Sequence, residues 1–335
     1  MSATIKLEKN HFPVLLDELV SIISPLYSGT FIDCTFGNGG YSKEILKNKQ
    51  NKVIAIDRDI DAIELAKPLK KKYNKQFNFH HLKFSEVHKI EKIGDDLKGI
   101  IFDLGFSSIQ VRDPNKGMSF YNQGKLDMRM GLNKTSADEA INNLSYSELN
   151  NIFKFLGEEK KSKLISKAII NERKKKLINT PDLVKIVDYA KNFKRGKTHN
   201  STQIFQALRI YVNKEIHELI HGLINSFRIL PIGGIIAVVT FHSIEDKIVK
   251  FFFKHYSENK NSSRYLPNVK KKELLFKLPH KKFLLPTADE IKKNPSSRSA
   301  KLRYATKINN NKNFQDFLKK FQHLLDIEKI KGKYV

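Results

Sequence analysis

A glycine-containing turn between two apolar stretches carries residue types that could hold a cofactor. Residues 31–41 read FIDCTFGNGGY, and a second apolar run, VIAID, follows at 53–57. In α/β proteins, an adenosine-containing cofactor binds where a strand enters a glycine turn and a helix, with an acidic residue ending the next strand. Asp57 is that acidic residue here, and it could accept hydrogen bonds from ribose hydroxyls. The motif is weak alone, so a glycine turn without a ligand is an alternative.

The spacing of the glycines narrows the choice of cofactor. Dinucleotide sites place a third glycine three residues after the second, where strand and helix pack beside a pyrophosphate. This chain has Ser42 at that position, and Asp33 lies at the end of the first strand. A carboxylate there repels phosphates and favours a cation. We therefore expect S-adenosylmethionine, which carries a sulfonium and an ammonium group but no phosphate. A nicotinamide-dependent oxidoreductase is the alternative enzyme, since it also uses an acidic residue such as Asp57.

Two further loops leave predicted strands with polar side chains. The first contains Asp103, Ser107, Ser108 and Gln110, and the second contains His242 and Ser243. Ligands of an open parallel sheet bind at the carboxyl ends of its strands, so we expect both loops to lie at one site. A helix cap at Asp103 and a packed, hydrogen-bonded histidine at His242 are the structural alternatives.

The order of apolar stretches predicts the elements that position these residues. Strand patterns that alternate with helical patterns lie at 30–35, 53–57, 77–83, 99–103 and 234–240. This alternation is typical of an α/β fold with a mostly parallel sheet. Strand patterns are missing between the fourth and fifth of these runs, where short helices are predicted instead. We therefore predict a discontinuous core, 1–111 and 199–335, with a helical insertion at 112–198.

Helix signals are clearest outside the sheet. Ser145 and Glu148 form a capping box, and Thr180 precedes a proline that opens another helix. One long helix is predicted from about 202 to 230, and a final helix is predicted near the C-terminus. Residues 256–312 are dense in lysine and low in regular periodicity.

Composition limits the partners and the compartment. The 335 residues include 61 Lys and Arg against 35 Asp and Glu, a net charge of +26. Such an excess indicates a polyanionic partner, although solvated lysine is the alternative. The one cysteine, Cys34, excludes an internal disulfide and disfavours a zinc cluster. Without an export signal or an apolar run long enough to span a membrane, the chain is expected to be cytoplasmic, with no membrane partner.

Eleven motifs then appear in one order along the chain. They are HFPVLLDEL (11–19), DCTFGNGGYS (33–42), AIDRD (55–59), FDLGFSSIQ (102–110), GMSF (117–120), LDMRM (126–130), GEE (157–159), FQALRI (205–210), VNKE (212–215), TFHSIEDKIVK (240–250) and NPSSRSAKLR (294–303). This order closely resembles the RsmH family, also called MraW, of bacterial 16S ribosomal RNA cytosine-N4 methyltransferases. The resemblance covers nearly the whole chain.

The resemblance implies a class I S-adenosylmethionine-dependent methyltransferase fold, with the inserted helical domain as an RNA substrate domain. It implies methylation of a cytidine in the decoding region of 16S ribosomal RNA, in the small ribosomal subunit. The cofactor contacts that it transfers by motif are Gly39, Gly40, Tyr41, Asp57, Phe84, Asp103 and Gln110. The family usually has histidine where this chain has Tyr41, a change that a backbone contact would survive. The HPAT run of the family reads His199-Asn200-Ser201-Thr202 here, so its proline is replaced.

The cytosine amino group needs positioning, because its lone pair is delocalised into the ring and it is a weak nucleophile. The sulfonium methyl is already activated, so we expect no metal. Our hypothesis is that Ser107 or Ser108, together with His242, orients the amine.

Affinity for RNA should come from phosphate contacts, and the choice of cytidine from the pocket. Arg298, Lys301 and Arg303 are the predicted phosphate contacts, with ion pairing to the core's own carboxylates as the alternative. An RNA-binding or assembly factor that performs no chemistry is the non-enzymatic alternative.

Overall fold

A seven-stranded sheet positions the predicted site. The strands lie in the order β3-β2-β1-β4-β5-β7-β6. Their bounds are β1 Thr30–Asp33, β2 Lys52–Asp57, β3 Phe77–His81, β4 Leu97–Asp103, β5 Ile235–Thr240, β6 Phe276–Lys277 and β7 Lys301–Lys307. Strands β1 to β5 pair in parallel, whereas β7 runs antiparallel to both β5 and β6. The expected α/β class I fold with its mostly parallel sheet is confirmed.

Burial explains why these runs form strands. Every residue of β1 and β5 is buried, as expected for central parallel strands that are covered on both faces. The register pairs Asp33 with Ala55 and Ile101, and it pairs Asp103 with Val239. The carboxyl ends of four neighbouring strands therefore meet at one edge of the sheet.

The sequence pattern did not predict strands β6 and β7. Strand β7 begins and ends with lysine and also contains Arg303, so its apolar residues are hard to recognise. Lys307 is nevertheless buried, and its Nζ donates to the carbonyls of Phe227 and Leu230 at 2.8 and 2.6 Å. The removal of this ammonium group from water lowers its pKa to about 8.

The computed structural model describes residues 13–105, 113, 116–121, 124–133, 135–193, 199–258, 273–279 and 282–331. Its helices are α1 Leu16–Ile23, α2 Gly40–Ile45, α3 Asp61–Tyr73, α4 Ala137–Asn143, α5 Tyr146–Asn151, α6 Ser162–Glu172, α7 Thr180–Ala190, α8 Thr202–Asn213, α9 Glu215–Ile229, α10 Ser243–His255, α11 Ala288–Lys293 and α12 Gln315–Glu328. None of these helices is both long and apolar enough to span a membrane.

Local signals predicted several helix ends correctly. The capping box of Ser145 and Glu148 is present at the start of α5. Helix α7 also begins as predicted, with a second capping box between Asn179 and Asp182. The predicted long helix from 202 to 230 is instead two helices, because Lys214 adopts a left-handed conformation with φ of 54° between α8 and α9.

The chain divides into two compact units. The first is Met1–Gly105 with Gly222–Asn313, and the second is Phe106–His221 with Phe314–Val335. The second unit is thus larger than the predicted insertion, 112–198, since it also contains α8 and the C-terminal helix α12. The buried Glu328 side chain of α12 accepts hydrogen bonds from the backbone of Ile216 and His217, both at 2.8 Å. Periodicity marks the apolar face of a helix, but it does not identify the neighbour that covers that face.

Candidate active site

Three carboxylates end neighbouring strands at one edge of the first unit. Asp33 ends β1, Asp57 ends β2 and Asp103 ends β4. Burial raises the pKa of both Asp33 and Asp103, and the charge of Asp57 adds to the first rise and that of Asp33 to the second. A bound cation would stabilise the ionised carboxylates, so this edge favours a cationic group over a phosphate.

Asp33 is buried and held at both carboxylate oxygens. Ser42 Oγ donates to Oδ2 at 2.6 Å, and the backbone N–H of Thr35 donates to Oδ1 at 3.3 Å. Burial raises the pKa of Asp33 to about 6, although both hydrogen bonds act in the opposite direction. The carboxylate is therefore fixed in place and can change its charge within a physiological pH range.

Asp57 shapes the glycine turn from the neighbouring strand. The backbone N–H of Gly37 donates to Oδ2, and that of Asp59 donates to Oδ1, both at 2.8 Å. A carboxylate oxygen has two lone pairs, so each oxygen can accept one further hydrogen bond. Burial raises the pKa of Asp57, and the two N–H donors oppose that effect.

Asp103 contributes a buried oxygen that lacks a partner in the described part of the chain. Its backbone N–H donates to Thr35 Oγ1 at 2.7 Å, but Oδ1 accepts no hydrogen bond from these residues. Burial, followed by the charges of Asp33 and Glu245, raises the pKa of Asp103 well above its usual value. A buried acceptor left in this way indicates a ligand donor that would complete it.

The glycines of the turn are required by packing within the protein. Gly39 has φ of 72°, and a Cβ there would clash with the Phe36 ring; a Cβ at Gly40 would clash with Pro13. The Tyr41 side chain is also directed inward, since it is 3% exposed and its hydroxyl donates to the Val14 carbonyl. Burial raises the pKa of Tyr41 well above its usual value. Any contact of Tyr41 with a cofactor must therefore involve its backbone.

Phe84 lies at the start of a short 3-10 helix, Phe84–Lys89, in the first unit. Its ring packs edge-on against Phe102 with centroids 5.4 Å apart, and it also lies against Gly222. The neighbouring Ser85 carbonyl accepts a hydrogen bond from Asn225 at 2.7 Å. Phe84 is only partly buried, so it keeps a face that a flat ring could contact.

His242 is the N-cap of α10, and its ring is hydrogen-bonded within the protein, as in the alternative of a packed, hydrogen-bonded histidine. Its Nδ1 accepts the backbone N–H of Glu245 at 3.4 Å, and the Glu245 carboxylate accepts the backbone N–H of His242 at 3.3 Å. Nε2 lies 3.0 Å from Glu245 Oε1 without forming an aligned hydrogen bond. Both ring nitrogens thus face Glu245. The proposed partners Ser107 and Ser108, like the cofactor candidate Gln110, lie outside the described residues.

The three predicted phosphate contacts differ in their surroundings. Arg303 is 8% exposed and its Nε donates to Asp246 at 2.7 Å, while Lys301 Nζ donates to the other oxygen of Asp246 at 3.1 Å. Both cations lower the pKa of Asp246. Arg298 lies in the exposed 3-10 helix Pro295–Ser299 with its side chain accessible. The geometry thus favours ion pairing for Arg303 and leaves Arg298 open to an external anion.

Two residues of the site were not among the predicted site residues. Thr35 links the ends of strands β1 and β4. Its backbone N–H donates to the Asp33 carboxylate, and its hydroxyl accepts from the backbone N–H of Asp103. Ser42 was noted only as the residue that replaces a third glycine, whereas its hydroxyl holds Asp33. Two hydroxyl side chains mark such a site in sequence. One lies within two residues of the acidic strand end, and the other lies in the first turn of the following helix; together they would have predicted that the carboxylate is held by hydrogen bonds.

The arrangement fits the cationic, adenosine-containing cofactor that the sequence predicts. The Oδ1 of Asp103, which has no partner among the described residues, could accept from an ammonium group, and Asp57 retains acceptor capacity suited to ribose hydroxyls. The Phe84 ring offers an apolar face to a base. These features are independent of one another in sequence and lie in one unit of the fold.

Comparison with known proteins identifies the family to which the chain belongs. The sequence profile described as the MraW methylase family matches residues 8–308. A protein of Bartonella bacilliformis is 40% identical over 297 residues, covering 88% of this chain and 89% of the relative. A protein of Orientia tsutsugamushi is 41% identical over 308 residues, covering 89% of this chain and 98% of the relative. A third, of Rickettsia prowazekii, is 39% identical over 302 residues, covering 89% and 98%. All three are named ribosomal RNA small subunit methyltransferase H. The chain belongs to the MraW methylase family.

Proposed function

We propose that this protein transfers a methyl group from S-adenosylmethionine to the N4 amino group of a cytidine in 16S ribosomal RNA. The observation that carries the proposal is the buried Oδ1 of Asp103 near Asp33, which accepts no hydrogen bond from the residues that the structure describes, in a chain of a methylase family. The names of the relatives support small-subunit ribosomal RNA as the substrate. Family membership also decides against the nicotinamide-dependent alternative.

The chain's own residues would hold the cofactor in distinct ways. Asp57 would accept from the ribose hydroxyls, Asp103 from the ammonium group, and Phe84 would pack on the adenine ring. Asp33, held in place by Ser42 and Thr35, would supply negative charge near the sulfonium. When bound, S-adenosylmethionine supplies an activated methyl group to a nucleophile opposite the sulfur. Gly39, Gly40, Tyr41 and Gln110 would contribute through the loops that carry them.

The substrate amine must be oriented by acceptors on the protein. Ser107, Ser108 and His242 remain our candidates, although the position of His242 as a helix cap favours an indirect role for its ring. Replacement of each residue by Ala in a methyl-transfer assay decides between them. Unchanged turnover in all three variants would exclude the hypothesis.

The basic surface would supply affinity for the RNA backbone. Arg298 is the strongest candidate of the three predicted contacts, because its side chain is exposed. In the second unit, residues 154–197 contain 14 Lys and Arg against five Asp and Glu. We propose that this helical unit also contacts ribosomal RNA. Action on the small ribosomal subunit would place the enzyme in the cytoplasm.

Incubation of the protein with labelled methyl donor and isolated small ribosomal subunits tests the proposal. We expect incorporation of the label into 16S RNA, and we expect Asp103→Asn to reduce it strongly by weakening donor binding. If the protein binds the donor but transfers no methyl group to either naked RNA or subunits, the alternative of an RNA-binding assembly factor would be favoured. Absence of donor binding would contradict the proposed cofactor.

A further inference from the structure

An aromatic cluster in the second unit leads from its core to its surface. The ring of Phe205 is 5% exposed in helix α8, and Phe120 packs edge-on against it with centroids 5.7 Å apart. His199 stacks on Phe120 at 4.2 Å, with the two ring planes only 10° apart. Tyr121 lies against both rings, at 4.7 Å from Phe120 and 5.8 Å from His199. We call Phe120, Tyr121 and His199 the aromatic platform.

The outer residue of the platform is unusually accessible for its type. Tyr121 is 78% exposed, although large aromatic side chains usually bury most of their surface. Burial therefore does not explain its position. An aromatic face that is supported from below and open to solvent is the arrangement on which proteins stack unpaired bases.

Hydrogen bonds fix the platform in place. The backbone N–H of Ser201 donates to His199 Nδ1 at 3.2 Å, which orients the ring. The following residue, Asn200, donates from its side chain to Asp188 at 2.9 Å, and its carbonyl accepts from Lys191 at 2.7 Å. These contacts attach the platform to the end of α7. A rigid platform loses little entropy when a base stacks on it.

The charge of the second unit indicates the kind of occupant. Lys125, four residues after Tyr121 in sequence, and Lys185 are exposed, and the chain between 154 and 197 has nearly three times as many basic as acidic residues. A flat aromatic surface on a basic unit suits a ligand that combines planar bases with phosphates. An apolar peptide would gain nothing from this charge.

We propose that the aromatic platform stacks an unpaired base of the RNA substrate. The inference rests on the proposed function, since it assumes that the substrate is RNA. It adds an RNA contact within the second unit: Tyr121 would hold one unpaired nucleotide of the substrate. Because stacking tolerates any base, the platform would contribute affinity for unpaired RNA and little sequence selection.

Steady-state kinetics with small ribosomal subunits provide the first test. Tyr121→Ala should raise the KM for subunits about tenfold, within the range for loss of one base–aromatic stack, and leave the kcat at saturation unchanged. Tyr121→Phe and Tyr121→Trp retain a ring and should keep the KM within about twofold. The matched control is Tyr146→Ala, since Tyr146 is an exposed tyrosine of the same unit at 41% exposure. Equal KM values for Tyr121→Ala and Tyr146→Ala would overturn the proposal.

Fluorescence provides a second test that needs no turnover. The chain contains no tryptophan, so Tyr121→Trp introduces a single tryptophan that can be excited selectively over the tyrosines. Single-stranded oligocytidine RNA should quench it, whereas a duplex of equal length, with its bases already stacked, should not. The Tyr146→Trp control should respond to neither RNA. Equal responses of the two variants would overturn the platform, even if methyl transfer proceeds. Failure of the wild-type protein to methylate subunits would instead reject the proposed function, and the quenching result would still decide the platform.

Discussion

Ser42 Oγ donates a hydrogen bond of 2.6 Å to Asp33 Oδ2, and both residues are buried. Ser42 occupies the position at which a dinucleotide site would have its third glycine. The residue that departs from the dinucleotide pattern therefore also holds the carboxylate that disfavours a pyrophosphate. One hydrogen bond links the two sequence features from which a sulfonium cofactor was predicted.

Loss of this hydrogen bond should weaken both the fold and donor binding. We expect Ser42→Ala to lower the free energy of unfolding by about 1–2 kcal/mol, because it removes a buried hydrogen bond to an ionisable group. It should also raise the pKa of Asp33 further and reduce donor affinity at pH 7. Chemical denaturation and calorimetric titration of the donor measure the two effects. The control is Ser166→Ala, because the Ser166 hydroxyl is buried without a hydrogen-bond partner among the described residues. Equal losses of unfolding free energy and of donor affinity in Ser42→Ala and Ser166→Ala would contradict the prediction.

Asp33 should reduce stability while it supports binding. Its folded pKa of about 6 lies above the usual 3.8, so the folded protein binds more protons than the unfolded chain between these values. Stability from this group is therefore lost as the pH rises from about 4 to 6. We expect Asp33→Asn to unfold less readily at pH 7, by up to about 3 kcal/mol, yet to bind the donor more weakly. A variant that loses stability at pH 7 would contradict this expectation.

Donor affinity should follow the ionisation of Asp33. As the pH falls through about 6, the carboxyl group is protonated and its attraction for a cationic donor disappears. Titrations from pH 5 to pH 8 should show affinity that rises with pH, and Asp33→Asn should reduce that rise. An identical pH profile for the variant would show that another group is responsible.

Tyr41 should matter to stability more than to cofactor affinity. Removal of its hydroxyl in Tyr41→Phe leaves the Val14 carbonyl without this donor, which should cost about 1–2 kcal/mol of unfolding free energy. Donor affinity should stay within about twofold, since the hydroxyl is buried and already donates to the Val14 carbonyl. Thermal denaturation and donor titration separate the two effects. A large loss of affinity with unchanged stability would assign the phenol to the cofactor.

Arg298 and Arg303 should give opposite results although both belong to the NPSSRSAKLR motif. Arg298→Ala should leave stability unchanged and lower the salt dependence of RNA binding by about one unit of slope. Arg303→Ala should destabilise the fold by about 3 kcal/mol, because it removes a buried guanidinium and leaves the partly buried Asp246 carboxylate with Lys301 alone among the described residues. RNA binding across a salt series and denaturation of each variant test the pair. A reduced salt slope in stable Arg303→Ala would restore it as a phosphate contact.

The sequence predicted those strands that are recognisable from their own residues. Continuous apolar runs identified β1, β2, β4 and β5, because central parallel strands are buried on both faces. Strand β7 was missed because Lys301, Arg303 and Lys307 mask its pattern, and their buried or paired states depend on distant residues. The break at Lys214 was missed because lysine has no marked preference for a left-handed conformation.

The same distinction applies to the site. The position of Asp33, Asp57 and Asp103 at the carboxyl ends of strands could be predicted from the apolar runs that they follow. The inward direction of Tyr41 and the pairing of Arg303 with Asp246 could not, because both depend on contacts between segments far apart in sequence. The aromatic platform has the same origin, since Phe120 and His199 are 79 residues apart.

Nucleoside mass spectrometry of small ribosomal subunits after reaction with S-adenosylmethionine tests methyl transfer to cytidine N4. We expect one new modified nucleoside, a cytidine with a methyl group on N4, at a single position of 16S RNA. We also expect Asp103→Asn to yield much less of this nucleoside under the same conditions. A methyl group on a carbon atom, on the ribose or on another base, or unmodified RNA despite bound donor, would contradict the proposed methyl transfer.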